Sequence, residues 1–294
     1  MDLLKYKLIY FLLSFLLILP GTYFLVKDGL KLGIDFTGGV ILEYQFKNPV
    51  VIDQLKTEIV SQGVTVGQIV ESSNNTYLIK TKPLEQNQIN ELKNDLTKKY
   101  GQINEKRVES VGPIIGQELT QKAVLSILIA SLVIIIYLTY SFRKVPKTTS
   151  SWRFGVAAVV ALLHDVLVVV GIFAILGKFF NVEVDTLFVT ALLTIIGFSV
   201  HDTIVVFDRI RENLLKNIGR KFSEVANISI VQTLGRSLNT SLTVVFVLTA
   251  LLLFGGETIR WFVVALLIGI ISGTYSSIFN ATALLSFWEE KLGH

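Results

Sequence analysis

Thr186-Leu187-Phe188-Val189-Thr190-Ala191-Leu192-Leu193-Thr194-Ile195-Ile196-Gly197-Phe198-Ser199-Val200-His201-Asp202-Thr203-Ile204-Val205-Val206-Phe207 is long and apolar enough to cross a bilayer as one helix, for which about 20 residues suffice. It holds one acid. Asp202 at membrane depth costs several kcal/mol without a partner or a task, so an ionisable group there is a functional candidate by default. The chain turns polar at Asp208-Arg209-Ile210-Arg211-Glu212, which places Asp202 near one mouth of the span.

Five other segments have the same character: Leu8 to Val26, Ala123 to Phe142, Phe154 to Gly177, Ser237 to Phe254 and Trp261 to Trp288. With 51% hydrophobic and 17% charged residues among 294, the chain is a polytopic membrane protein. Six spans put both ends on one side. Lys5 and Lys7 precede the first apolar run, but no small-x-small cleavage pattern follows Pro20-Gly21-Thr22, so a span is expected there and not a signal peptide. The absence of cysteine excludes disulfides and thiolate metal sites.

The basic residues set the orientation. Arg143, Lys144, Lys147 and Arg153 follow the second span, and Arg209, Arg211, Lys216, Arg220, Lys221 and Arg236 follow the fourth. The short loops opposite hold Lys178 and Arg260. Both termini are therefore expected in the cytoplasm, with residues 27–119 outside.

Residues 27–119 are the part long enough to fold in water. Alternation from Phe36 to Phe46 predicts a strand and Val51 to Val60 a helix; strands follow at Val66 to Glu71 and Thr76 to Thr81, parted by a Ser-Ser-Asn-Asn turn. A second helix from Leu84 to Tyr100 and a strand from Lys106 to Val111 complete the set. The order β-α-β-β-α-β predicts an α+β ferredoxin-like sandwich, a superfold silent about chemistry. Its 11 Lys and Arg against 12 Asp and Glu disfavour nucleic-acid capture; a spacer or a surface for extended polypeptide both fit. Gly38-Gly39 lacks the lysine and helix start of a phosphate loop and reads as a tight turn or bulge. Gly112-Pro113 with Gly116 reads as a hinge into the second span.

Polar groups mark three spans. His164-Asp165 sits near the middle of the third, Ser199, His201 and Asp202 towards the cytoplasmic end of the fourth, and Arg236, Thr240 and Thr243 on one stripe opening the fifth. Asp202 and Arg236 are a natural pair, because a cation and desolvation act on a carboxylate in opposite senses. Plainer readings stay open: His164-Asp165 as a packing pair, Arg236 as an interfacial positive charge, Asp202 as a structural cap. Two His-Asp pairs cannot readily present four ligands to one ion, since adjacent helical residues point about 100° apart, and His-Glu-x-x-His is missing. No metal, cofactor or nucleophile-base motif is found, so an enzyme is not expected. Gly269 and Gly273 in the sixth span admit a closely packed helix, with Ser272, Thr274, Ser276 and Ser277 beside them; the contact is either within the chain or with another subunit.

Several motifs together carry a resemblance over essentially the whole chain: Gly33-Ile34-Asp35-Phe36-Thr37-Gly38-Gly39, Val111-Gly112-Pro113 with Gly116, Ala161-Leu162-Leu163-His164-Asp165, Gly197 to Asn213, and Gln232-Thr233-Leu234-Gly235-Arg236-Ser237-Leu238-Asn239-Thr240-Ser241. The chain resembles the SecF branch of the SecD/SecF protein-export family, within the resistance-nodulation-division superfamily. The resemblance implies an auxiliary subunit of the Sec translocase in the cytoplasmic membrane. It would pair with SecD, attach to the SecYEG channel and use the proton motive force in late stages of polypeptide export. It also implies that Asp202 matches the family's proton-carrying aspartate and Arg236 its partner, with His164, Asp165, Ser199, His201 and Thr240 as a polar cluster or proton path. Position 201 departs from the family's usual Asn. His201 would titrate nearer neutrality, or it turns away from Asp202. Two rivals are a proton-coupled small-molecule exporter of the superfamily, against which the single six-helix repeat speaks, and a purely structural stabiliser.

Overall fold

The protein was studied as a computed structural model that describes residues 2–72, 74–142 and 151–291; Arg143, Lys144, Lys147 and Ser73 lie outside them. In chain order the elements are α1 (Lys7–Lys27), α2 (Ile34–Thr37), β1 (Gly39–Phe46), α3 (Ile52–Ser61), β2 (Val66–Glu71), β3 (Thr76–Thr81), α4 (Gln86–Tyr100), β4 (Ile103–Val111), α5 (Pro113–Ser141), α6 (Ser151–Phe180), α7 (Thr186–Lys216), α8 (Phe222–Phe254), α9 (Arg260–Tyr275), a π-helical turn (Ser276–Asn280) and α10 (Ala281–Lys291). Among the described residues six helical stretches are long and apolar enough to cross a membrane. The chain divides into a helical unit, Met1–Lys31 with Leu125–His294, and a smaller unit, Leu32–Val124.

In the smaller unit four antiparallel strands lie in the order β2-β3-β1-β4. Alternation gives the sheet one buried face: Val40, Leu42, Tyr44 and Phe46 of β1 meet Leu55 and Ile59 of α3 and Ile89, Leu92 and Leu96 of α4. A reciprocal capping box between Glu85 and Gln88 starts α4, and it moves the start past Leu84. The strand expected from Phe36 begins only at Gly39, because Ile34–Thr37 form a helical turn that Gly38 closes at φ 75°. β4 begins earlier than the pattern shows, at Ile103, because a register shift between Glu43 and Tyr44 lets the strand pair on through Ile103.

Around the expected hinge, Gly116 and Gly38 are closely packed, whereas Gly112 has open space beside it. A Cβ on Gly116 would lie 2.8 Å from the Phe36 carbonyl oxygen, and one on Gly38 3.0 Å from the Pro113 Cα. The two glycine segments are therefore interlocked, and Pro113 opens α5 at the position where a missing N–H costs nothing.

In the helical unit α6, α7 and the α9–α10 segment form the packed centre. Most of the apolar side chains of α1 and α5 face outward, as lipid-facing helices do. The Gly-x-x-x-Gly pair packs within the chain: Gly269 lies against Ile195, and Gly273 against Ser199. Phe142, Phe154 and Phe207 form a ring cluster joining α5's end to α6 and α7. α7 and α8 each run far beyond the apolar spans, and their extensions are joined by Asn213 donating to Ser229 Oγ at 2.9 Å and to Gln232 Oε1 at 2.8 Å.

Candidate proton-coupling site

The polar residues of the spans divide into a buried set and an outward set. Asp202 is 2% exposed. Its Oδ2 accepts a long hydrogen bond from Ser241 Oγ of α8 at 3.5 Å, and Ser241 in turn shares a 2.6 Å hydrogen bond with Thr274 of α9. The acid thus sits where α7, α8 and α9 meet, with weak local satisfaction.

Arg236 does not form an ion pair with it. The guanidinium takes part in none of the described ion pairs and lies on an exposed face of α8. His201 is exposed on α7. Both are within electrostatic range of Asp202, so the direct pairing expected from sequence becomes an interaction at a distance. The reason is rotational. Ser237 and Ser241 hold the buried face of α8, which carries Arg236 and Thr240 outward. Thr240 and Thr243 satisfy their hydroxyls on backbone carbonyls of their own helix.

The second buried acid is better connected. Asp165, 1% exposed, accepts Ser199 Oγ at 2.6 Å and Ser276 Oγ at 2.7 Å on Oδ2, and Ser272 Oγ at 2.9 Å on Oδ1. His164 Nδ1 lies 3.0 Å from Oδ1. His164 is itself buried, and its Nε2 has no partner among the described residues.

The sequence groups Ser199 with His201 and Asp202 towards one end of the fourth span, whereas its hydroxyl turns to Asp165. Sequence reasoning missed Ser241, Ser272 and Ser276 as partners of the acids, and Thr274 as the group behind Ser241. The signal was present as small hydroxylated residues at helical spacing on α9, beside Gly269 and Gly273, where close helix approach lets short side chains reach across. Among the described residues no group of three or more His, Cys, Asp or Glu is arranged to hold a metal ion.

Residues 91–291 match the family described as protein export membrane protein SecD/SecF, C-terminal, and residues 23–50 match the SecD/SecF GG motif. A protein translocase subunit SecF from Thermobaculum terrenum is 49% identical over 99% of this chain and 94% of its own length. Its counterpart from Anaerolinea thermophila is 42% identical over 98% and 94%. Among solved structures, SecDF from Thermus thermophilus, described as a translocon-associated membrane protein, superposes with a TM-score of 0.85 at 32% identity, covering 99% of this chain but 39% of that one. SecDF in a super-membrane-facing form gives 0.72 at 31%, with the same coverage.

Proposed function

This chain belongs to the SecF branch of the SecD/SecF protein-export family, a multi-pass auxiliary subunit of the Sec translocase, and we propose that protonation of Asp202 couples the proton motive force to late polypeptide export. One observation carries the reading: a carboxylate 2% exposed within the span has, among the described residues, one long 3.5 Å hydroxyl hydrogen bond to satisfy it. Such a group is costly when ionised and is held for a purpose. A proton crossing the membrane supplies about 2.3 kcal/mol per 100 mV. Changing the charge of Asp202 alters its interaction with Arg236 and His201 and so the packing of α7 against α8.

The partner follows from the outward set. Arg236, Asn239, Thr240 and Thr243 of α8, with Thr194, Gly197 and His201 of α7, are exposed on this chain alone. A guanidinium facing lipid is unfavourable, so a second membrane protein covers this face. SecD is the natural occupant, since the solved SecDF relative joins both names in one chain of which this one spans 39%. The pair acts with SecYEG on unfolded polypeptide. By the distribution of Lys and Arg, both termini are cytoplasmic and residues 27–119 are extracytoplasmic. His164, Asp165, Ser199, His201 and Thr240 are the other candidates for the proton path.

The test is export in cells that carry only Asp202→Asn. Late export should lose its dependence on the proton gradient while the SecD complex still co-purifies. Normal gradient-dependent export would leave only the scaffold role.

A further inference from the structure

The π-helical turn is tied to three helices at once. Ser276 reaches Asp165 of α6, Ser277 Oγ donates to the Ser199 carbonyl of α7 at 2.9 Å and accepts from Thr203 Oγ at 2.8 Å, and Asn280 Nδ2 donates to Ser14 Oγ of α1 at 2.7 Å. Wide turns of this kind replace the regular helical ladder and gather at functional sites. The question is what holds this one in place.

Asp165 does. An ionised carboxylate offers about four acceptor positions, and here four donors fill them: Ser272 and His164 on Oδ1, Ser199 and Ser276 on Oδ2. With all four donating, the arrangement fits the ionised acid. Nδ1 of His164 is then the donor, and Nε2 is buried with no partner among the described residues.

We propose that His164 and Asp165 form a second protonation site, distinct from Asp202, whose charge state sets the hold on the π-helical turn. A protonated carboxyl turns one acceptor position into a donor, so one of the four donors has to reverse or leave. Ser276 is placed for this, because its hydroxyl already lies 3.2 Å from the Gly273 carbonyl, to which it can donate instead. The charge-assisted bond to the first residue of the turn is then replaced by a weaker neutral one, which loosens its tie to α6. Among the described residues no lysine or arginine is within ion-pair distance of Asp165; the titratable groups around the pair are His164 on its own helix and Tyr275 of α9, whose ring centroid is 6.4 Å from that of His164. On α7, Asp202 lies one turn beyond Ser199, and α1 brings Tyr10, whose carbonyl accepts the Tyr275 hydroxyl. The proposal deepens the proton-driven reading and rests on it.

The test is pH-difference infrared spectroscopy of the full chain in lipid nanodiscs. Acidification should raise two carboxylic-acid bands, one missing in Asp202→Asn and the other in Asp165→Asn. An Asp165→Asn spectrum that superimposes on the wild type overturns this inference and leaves Asp202 untouched; the converse result strikes the Asp202 reading alone. Ser276→Ala removes one donor and no ionisable group, so it should shift the Asp165 band only, and an unshifted band overturns the inference even where Asp165→Asn fails to fold. The chain lacks cysteine, so Ile278→Cys adds a single thiol to the turn. Divided at each pH by the reactivity of free cysteine, which removes the falling thiolate fraction, its maleimide reactivity should rise about tenfold on acidification through the Asp165 band, as weakening of one hydrogen bond to a charged group allows. Equal reactivity on both sides sinks the link to the turn.

Discussion

Gly21 of α1 and Gly171 of α6 meet backbone to backbone: a Cβ on Gly21 would lie 2.6 Å from the Gly171 Cα, and one on Gly171 2.8 Å from the Gly21 Cα. Neither site has room for a methyl group. This crossing lets the otherwise lipid-facing α1 hold the bundle by van der Waals contact, since lipid supplies no hydrophobic drive between helices. Gly171→Ala should therefore loosen α1 by about 1–3 kcal/mol. Disulfide trapping between single cysteines added to α1 and α6 reads this directly, and undiminished trapping would contradict the packing.

Arg153 and Glu289 form an ion pair at 2.9 Å, with Glu289 fully buried. Removing the cation strands a buried charge, which typically costs about 3–5 kcal/mol. Arg153→Ala should accordingly lower the thermal midpoint in detergent far more than the double change Arg153→Met with Glu289→Leu. Equal losses would mean that the pair is solvated.

In the smaller unit Gly116→Val forces a side chain onto the Phe36 carbonyl, which is backbone and cannot yield cheaply. The glycine joint should open, and proteolysis near residues 33–39 should speed up about tenfold for a loss near 1.4 kcal/mol. A variant as resistant as the parent would show that the joint has slack.

The phenols of Tyr44 and Tyr77 are both pushed up, in each case chiefly by burial. A group whose folded pKa lies above its unfolded value stabilises at and below the unfolded pKa and loses that contribution as pH rises through the folded one. The sheet should thus weaken only above about pH 10. Tyr44→Phe should blunt the alkaline loss, followed by the β-sheet infrared band. A sheet equally labile at pH 8 would refute it.

Asn280→Leu removes the tie from the π-helical turn to Ser14. A lost buried hydrogen bond costs about 0.5–1.5 kcal/mol, so the variant should free α1 modestly while leaving α6 and α7 packed. Cysteine trapping between α1 and the turn would fall, and unchanged trapping would remove Asn280 from the anchor.

Much of this architecture was legible because apolar length and period-two alternation report burial directly. The spans and the β2 and β3 strands follow from those patterns. Helix ends did not, since α5, α7 and α8 run on through polar residues whose partners come from neighbouring helices, as Asn213 finds Ser229. Asp202 was recognisable from its cost alone. Its rotation relative to Arg236 was not, because rotation is decided by which face of α8 packs, and Ser237 and Ser241 take that face. Asp165 stood out for the same reason as Asp202. Its three serines come from α7, α9 and the π-helical turn, and that convergence exists only after packing.

The wide turn at Ser276–Asn280 also sets the angular phase of everything after it. Deleting one residue there would rotate α10 by about 100° and swing Glu289 away from Arg153. Natural variants should therefore tolerate substitutions across this segment far more readily than a one-residue insertion or deletion.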